Sequence, residues 1–393
     1  MLKDSIKVGI PVGAVFVGIQ ASGALATGSY GTNYFAAYGV QGLLIGLFQA
    51  LFLFVFFYCG FTHTISVNNR LPESEKVYDY SSLSKALYGK FSPYLCPVFE
   101  LWQVLTIMVT GAVVIASGVT ILQTFFEIPT LLASLLFSVI VLALSIFGEG
   151  VVRKASTTLS ILFFVCEFLF LYIVLKHRGD VLVQMIRDNW VPESSRGMAV
   201  GIWRMFTLTC ASSAWAIGIG AVAQKMTSRR HAVVAALTAG CGAALIMVGT
   251  AVIVLPFCPE ILSETAPLAA IASNFIGEIA PALGTIYYTL LILALISTGG
   301  PALFVFARRF GKLVPAKGAF KNRRLVDIIL VVGCLMLCIA LSMCGLTTLV
   351  QKAFQYLGYI AMPMCIVPLV IVWPILRRRG IYPVVYKKKK QQT

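Results

Sequence analysis

Long apolar runs recur along this chain at a nearly regular spacing, separated by short polar pieces. Runs of about 20 apolar residues, the length that carries a helix across roughly 30 Å of hydrocarbon, fall near 6–36, 39–61, 93–122, 129–147, 156–175, 199–223, 231–256, 281–307, 325–344 and 349–376. The pattern predicts ten transmembrane helices in an all-α, multi-pass membrane protein. No long linker or low-complexity region divides them, so residues 1–393 read as one domain, with halves at about 6–175 and 199–376 and a basic tail at 377–393. Two connecting pieces also carry a helical pattern: 77–90 reads as a short amphipathic helix, and 267–281 (PLAAIASNFIGEIAP) as a helical cap over one mouth of the bundle.

Two of the ten runs do not read as unbroken helices. Residues 18–39 (GIQASGALATGSYGTNYFAAYG) set small and polar residues inside the first run, and residues 207–220 (TLTCASSAWAIGIG) do the same in the sixth. Backbone groups freed in hydrocarbon cost several kcal/mol each, so irregular backbone survives there only where it lines a cavity. Ten helices divide five and five, an odd number per half inverts one half against the other, and interruptions at matching positions point to a midplane site. Helix N-termini at such breaks favour an anionic group, while C-termini and loose carbonyls favour a cation. The candidate solute contacts are Ser22, Gly23, Ala26, Thr27 and Gly28 in the first break, and Thr209, Ser212, Ser213 and Trp215 in the second. The competing explanation is close helix packing through small residues, as at Gly9 and Gly13.

Composition agrees with the pattern: 59% of residues are apolar and 12% charged, outside the usual range of soluble domains. The formal net charge of +16 would suit a nucleic-acid partner, but position decides otherwise. Basic residues gather between alternate runs: Lys3 and Lys7, then Arg70 to Lys90, Arg153 and Lys154, Lys225 to Arg230, Arg308 to Arg324, and the tail. The intervening loops hold Glu127, a mixed stretch at 176–196, and Glu260, Glu264 and Glu278. This asymmetry predicts both termini on the cytoplasmic side and accounts for the charge without nucleic acid. The run Lys387 to Lys390 fits the same anchoring, with anionic lipid as an alternative partner. The N-terminal apolar run is Gly-rich, unlike the Leu-rich core of a cleaved leader, and the ten cysteines show no paired spacing, so they read as buried apolar residues.

Chemistry-bearing residues inside the runs are few. Glu167 sits near the middle of the fifth, where an ionised side chain costs about 2.5–3.5 kcal/mol; it is a candidate proton-coupling group, or a structural partner of a neighbouring helix. Gln103, Thr106 and Thr110 lie on one face of the third run and line either a cavity or a packing seam. Tyr30, Tyr34 and Arg204 are candidate gates, with interfacial anchoring as the alternative for the tyrosines. His63, His177 and His231 read as residues in or beside loops. No phosphate-binding loop, dinucleotide fingerprint, metal-binding histidine pair or nucleophile elbow is present, so neither enzyme chemistry nor a cofactor or metal site is expected.

The stretch Ala24-Leu25-Ala26-Thr27-Gly28, followed by Tyr34-Phe35 and Tyr38-Gly39, resembles the GFATG(Q/K)E…FF…FG signature of the YkvI-type bacterial membrane proteins, a branch of the amino acid-polyamine-organocation superfamily. Residues 108–112, 267–272, Ser297-Thr298 and 307–310 extend the similarity over most of the chain. The resemblance implies a leucine-transporter-type fold, a bacterial cytoplasmic membrane location, and a solute held between spans 1, 3, 6 and 8. It also implies that Ser297 and Thr298 complete a sodium site with carbonyls of the broken first helix, although such hydroxyls also bond back to their own helix. One departure stands out. Where the family carries Gln or Lys followed by Glu, this chain has Ser29-Tyr30. The leading expectation is a secondary transporter of a small amino-acid-like solute, coupled to Na+ or H+; the alternative is a sensor that binds a solute without moving it.

Overall fold

A computed structural model describes residues 2–20, 27–126, 128–147, 149–212, 216, 223–311 and 322–380, and the regular elements among them are all helical. In chain order they are α1 (Leu2–Gln20), α2 (Ser29–Tyr34), α3 (Gln41–Asn68), α4 (Tyr80–Tyr88), α5 (Ser92–Phe125), α6 (Thr130–Phe147) and α7 (Glu149–Arg187). They continue as α8 (Met198–Ser212), α9 (Arg229–Val254), α10 (Pro267–Ile279), α11 (Pro281–Gly311), α12 (Arg323–Ser342) and α13 (Leu346–Arg378). Among the described residues, five helices are long and apolar enough to cross a membrane: α3, the piece containing α5, α9, α12 and α13. Large apolar side chains such as Leu47, Val139 and Leu245 point outward, while Thr27, Gln49, His63 and Thr250 are buried. That inverts the arrangement of a water-soluble protein.

Local signals set the ends and bends. Asp79 caps α4 by accepting from the Ser82 backbone N–H at 2.9 Å, and Ser228 caps α9 by accepting from the His231 N–H at 3.3 Å. In α13, Pro363 and Pro368 lack the N–H that a regular turn uses, and the helix widens over Met362–Val372. α7 runs on through the charged stretch that the hydrophobic pattern assigns to a loop. Its path bends at Arg178 (φ −135°, ψ 17°), whose guanidinium donates to the Pro256 carbonyl at 3.0 Å and lies 4.5 Å over the Phe257 ring. α3 likewise extends to Asn68, seven residues past the apolar run, and in that extension Thr62 and Thr64 donate back to the Cys59 and Gly60 carbonyls. His63 therefore lies within a helix, fully buried with Nε2 3.1 Å from the Leu83 carbonyl oxygen, rather than in or beside a loop. His177 lies within α7.

Close approach between helices rests on small residues. A Cβ on Gly9 would lie 2.7 Å from Cβ of Val234, and one on Gly13 would fall on the Ala235 carbonyl. These two glycines let α1 lie against α9, as expected of them. At the end of the bundle away from α10, Asp4 of α1 meets His231 of α9 at 3.3 Å.

Candidate functional site

The interruption of the first run is visible at Thr27 and Gly28. Gly28 has φ 84°, a left-handed conformation open to glycine, and α2 begins directly after it. The turn is anchored to α10: the Leu268 N–H donates to the Thr27 carbonyl at 3.1 Å, and a Cβ on Gly28 would lie 2.8 Å from the Leu268 nitrogen. A relay of hydroxyls reinforces this contact. Thr27 Oγ1 donates to Ser29 Oγ at 3.0 Å, and Ser29 Oγ donates to the Thr265 carbonyl at 2.6 Å. Both side chains are buried. Ser29 thus ties the broken helix to the segment that leads into α10.

From the other side, α2 is held by α13. Tyr34 Oη donates to the Val350 carbonyl at 2.8 Å, and Gln351 Nε2 donates to Asn33 Oδ1. Tyr30 packs edge-on against Phe354 at 5.8 Å and lies 6.1 Å from the Tyr34 ring. Arg204 of α8 places its guanidinium 5.5 Å over the Tyr34 ring and donates to Tyr38 Oη at 3.3 Å. The three candidate gates, Tyr30, Tyr34 and Arg204, therefore form one cluster.

Behind α2 lies Glu167. Its Oε1 accepts from Thr250 Oγ1 of α9 at 2.9 Å, and the residue is 7% exposed. Thr250 packs on Gly31, where any added Cβ would meet its methyl group. The fifth-run carboxyl is thereby one side chain removed from the helix that follows the break.

The other candidate hydroxyls mostly bond to their own helices. Thr106 donates to the Trp102 carbonyl at 2.9 Å, Thr110 to that of Thr106 at 2.8 Å, Thr209 to that of Met205 at 2.8 Å and Ser212 to that of Leu208 at 3.4 Å. Their oxygens keep lone pairs to accept from a solute N–H. A Cβ on Gly299 of α11 would be 3.0 Å from Val114 of α5, so the Ser297-Thr298 backbone runs beside α5 about one turn from Thr110. The side chains of Ser297 and Thr298, and all of Ser22, Gly23, Ala26, Ser213 and Trp215, lie outside the described residues.

Sequence reasoning missed Thr250, Thr265, Leu268, Val350 and Gln351. Of these, Gln351 carried a signal, an amide near the start of an apolar run; the others offer backbone atoms or a hydroxyl that no local pattern marks. Among the described residues no three His, Cys, Asp or Glu side chains gather to hold a metal ion.

This arrangement of helices is that of the leucine-transporter-type fold, and the chain is a multi-pass membrane protein. It is similar to the inward-facing conformation of Mhp1, with a TM-score of 0.63 at 14% identity over 94% of this chain and 77% of that one. It is also similar to the manganese transporter of Eremococcus coleocola in complex with an aromatic bis-isothiourea compound (TM-score 0.60, 15% identity, 98% of this chain and 82% of that one). A third likeness is to the substrate-bound outward-open state of a Na+-coupled sialic acid symporter (TM-score 0.57, 11% identity, 94% and 86%). The second of these is a manganese transporter and the third a Na+-coupled symporter. No protein-family profile matches the chain, and no curated protein matches it.

Proposed function

We propose that this chain is a cation-coupled secondary transporter of a small amino-acid-like solute, built from ten spans in two inverted halves and working by alternating access. The observation that carries the reading is the left-handed turn at Gly28, inside an apolar run and locked on one side to α10 and on the other, through α2, to α13. Irregular backbone at that place serves binding. Helices at each of the ten expected runs support the span count. Fold neighbours in inward-facing and outward-open states support alternating access.

In this reading Thr27 and Gly28, with the other small residues of the first break, bind the solute together with Thr106, Thr110, Thr209, Ser212 and the second break. Tyr30, Tyr34 and Arg204 close one side. Ser297 and Thr298 carry a sodium site if Na+ is the coupling ion, and Glu167 carries the proton if H+ is. The distribution of basic residues supports both termini on the cytoplasmic side, and the bacterial cytoplasmic membrane is what the family resemblance implies.

The test is thermal unfolding of the purified chain against single amino acids, amines and nucleobases. A solute that prefers the native state raises the unfolding temperature, by about 3 °C or more near a hundredfold excess over its Kd. At least one amino acid is expected to do so. A shift confined to amines or nucleobases, or none at all, contradicts the amino-acid assignment.

A further inference from the structure

At the end of the bundle opposite α10, three helix ends converge on a groove that the transport reading does not use. Two adjoining cavities of about 300 and 340 Å³ share Arg229, the first residue of α9, and Arg377, in the last turn of α13. Arg378 borders one and Arg70, just past the end of α3, borders the other. Among the described residues the ion pairs are Lys76–Glu73 and His231–Asp4, so no described carboxylate neutralises Arg229, Arg377 or Arg378. The groove is built rather than incidental. Asn69 Nδ2 donates to the Thr227 carbonyl at 3.3 Å and joins the end of α3 to the turn before α9. Trp373, buried and held edge-on by His63 at 5.1 Å, forms the apolar wall with Tyr58.

The guanidinium groups of Arg229 on α9 and of Arg377 and Arg378 on α13 face this groove with no described carboxylate beside them, an arrangement that fits the oxygens of a phosphate. Two features select a lipid as its source. The groove lies where apolar helices end in Arg, Tyr and Trp, the signature of a membrane interface. Directly beside it, Ile371 and Ile375 of α13 stand 52% and 46% exposed, four residues apart, leading to Arg378. An acyl chain lies naturally along that face, whereas a free anion has no use for it.

We propose that this groove binds the phosphate of an anionic phospholipid, with Arg229 and Arg377 as the central contacts, Arg70 and Arg378 at the rim, and the acyl chain along Ile371 and Ile375. The site is independent of the transport reading, because its readout is unfolding and not uptake.

The full chain is placed in phosphatidylcholine nanodiscs with increasing phosphatidylglycerol, and its unfolding temperature is followed. Phosphatidylglycerol is expected to stabilise the wild type with saturation. Each basic residue near the surface contributes about fivefold to affinity. The double variant Arg229→Gln/Arg377→Gln therefore needs about 30-fold more phosphatidylglycerol for half of the effect, and the exposed single variant Arg378→Gln, which leaves the buried wall intact, about fivefold more. Arg187→Gln, at the end of α7, is expected to behave as wild type. Equal response of wild type and Arg378→Gln, or of wild type and a folded double variant, overturns the proposal. So does an equal stabilisation by 10 mM inorganic phosphate without phosphatidylglycerol, which assigns the groove to a free anion.

Discussion

Gly28→Ala is expected to lower solute affinity by about 100-fold or more and to destabilise the protein by about 2–5 kcal/mol. Two costs add. A side chain in the left-handed region costs about 1–2 kcal/mol, and Gly28 has φ 84°. The new Cβ would also sit 2.8 Å from the Leu268 nitrogen, and overpacking of this kind costs about 1–3 kcal/mol. The crowded atom is backbone, and its N–H already donates to Thr27, so it cannot swing aside as a flexible side chain would. Relief requires α10 to move off the break. Solute titration and thermal unfolding measure the two effects. Gly333→Ala, where nothing lies within 4 Å of the added Cβ, is the control and is expected to change stability by about 1 kcal/mol at most. Equal behaviour of the two variants would contradict the role given to the turn.

Glu167→Gln is expected to leave the protein folded and to abolish acceleration of uptake by an imposed proton gradient, with a loss of about tenfold or more in gradient-driven rate. Glutamine keeps the shape and an oxygen to accept from Thr250 Oγ1, so the 2.9 Å contact persists and the stability change stays near 1 kcal/mol. What it lacks is a proton to take up and release. Because Thr250 packs on Gly31 of α2, a change of charge on Glu167 reaches the helix that follows the break through one intervening side chain. Glu167→Leu leaves the Thr250 hydroxyl without its partner in either case, so the pair of variants divides the two roles: a structural carboxyl predicts loss of stability in Glu167→Leu with the gradient response kept in Glu167→Gln, while a coupling carboxyl predicts loss of the gradient response in both. Persistence of proton-driven uptake in Glu167→Gln assigns coupling away from this residue, and Ser297→Ala then tests the sodium alternative.

The segment order was legible because apolar length and polar interruption are local properties of a chain in lipid. The helix at Tyr80–Tyr88 and the cap at Pro267–Ile279 were read from short amphipathic patterns in the same way. The ends of α3 and α7 were not, since the apolar run stops before the helix does: α3 continues to Asn68 and α7 to Arg187. The partners at the site were hidden for a different reason. Ser29 reaches Thr265, Tyr34 reaches Val350 and Glu167 reaches Thr250 across 236, 316 and 83 positions of sequence, and two of the three acceptors are backbone carbonyls, which every residue possesses. Glu167 itself stood out because a carboxyl in an apolar run is costly. Its partner is one threonine among many.

A cation-coupled transporter moves its solute against the solute's own gradient at the expense of a cation gradient. The most direct test is uptake of the stabilising solute into proteoliposomes under an imposed Na+ or H+ gradient, with ionophore collapse as the control. Accumulation above equilibrium is expected with one of the two gradients, and only equilibration once that gradient is collapsed. Saturable binding of the solute without accumulation under either gradient would contradict it.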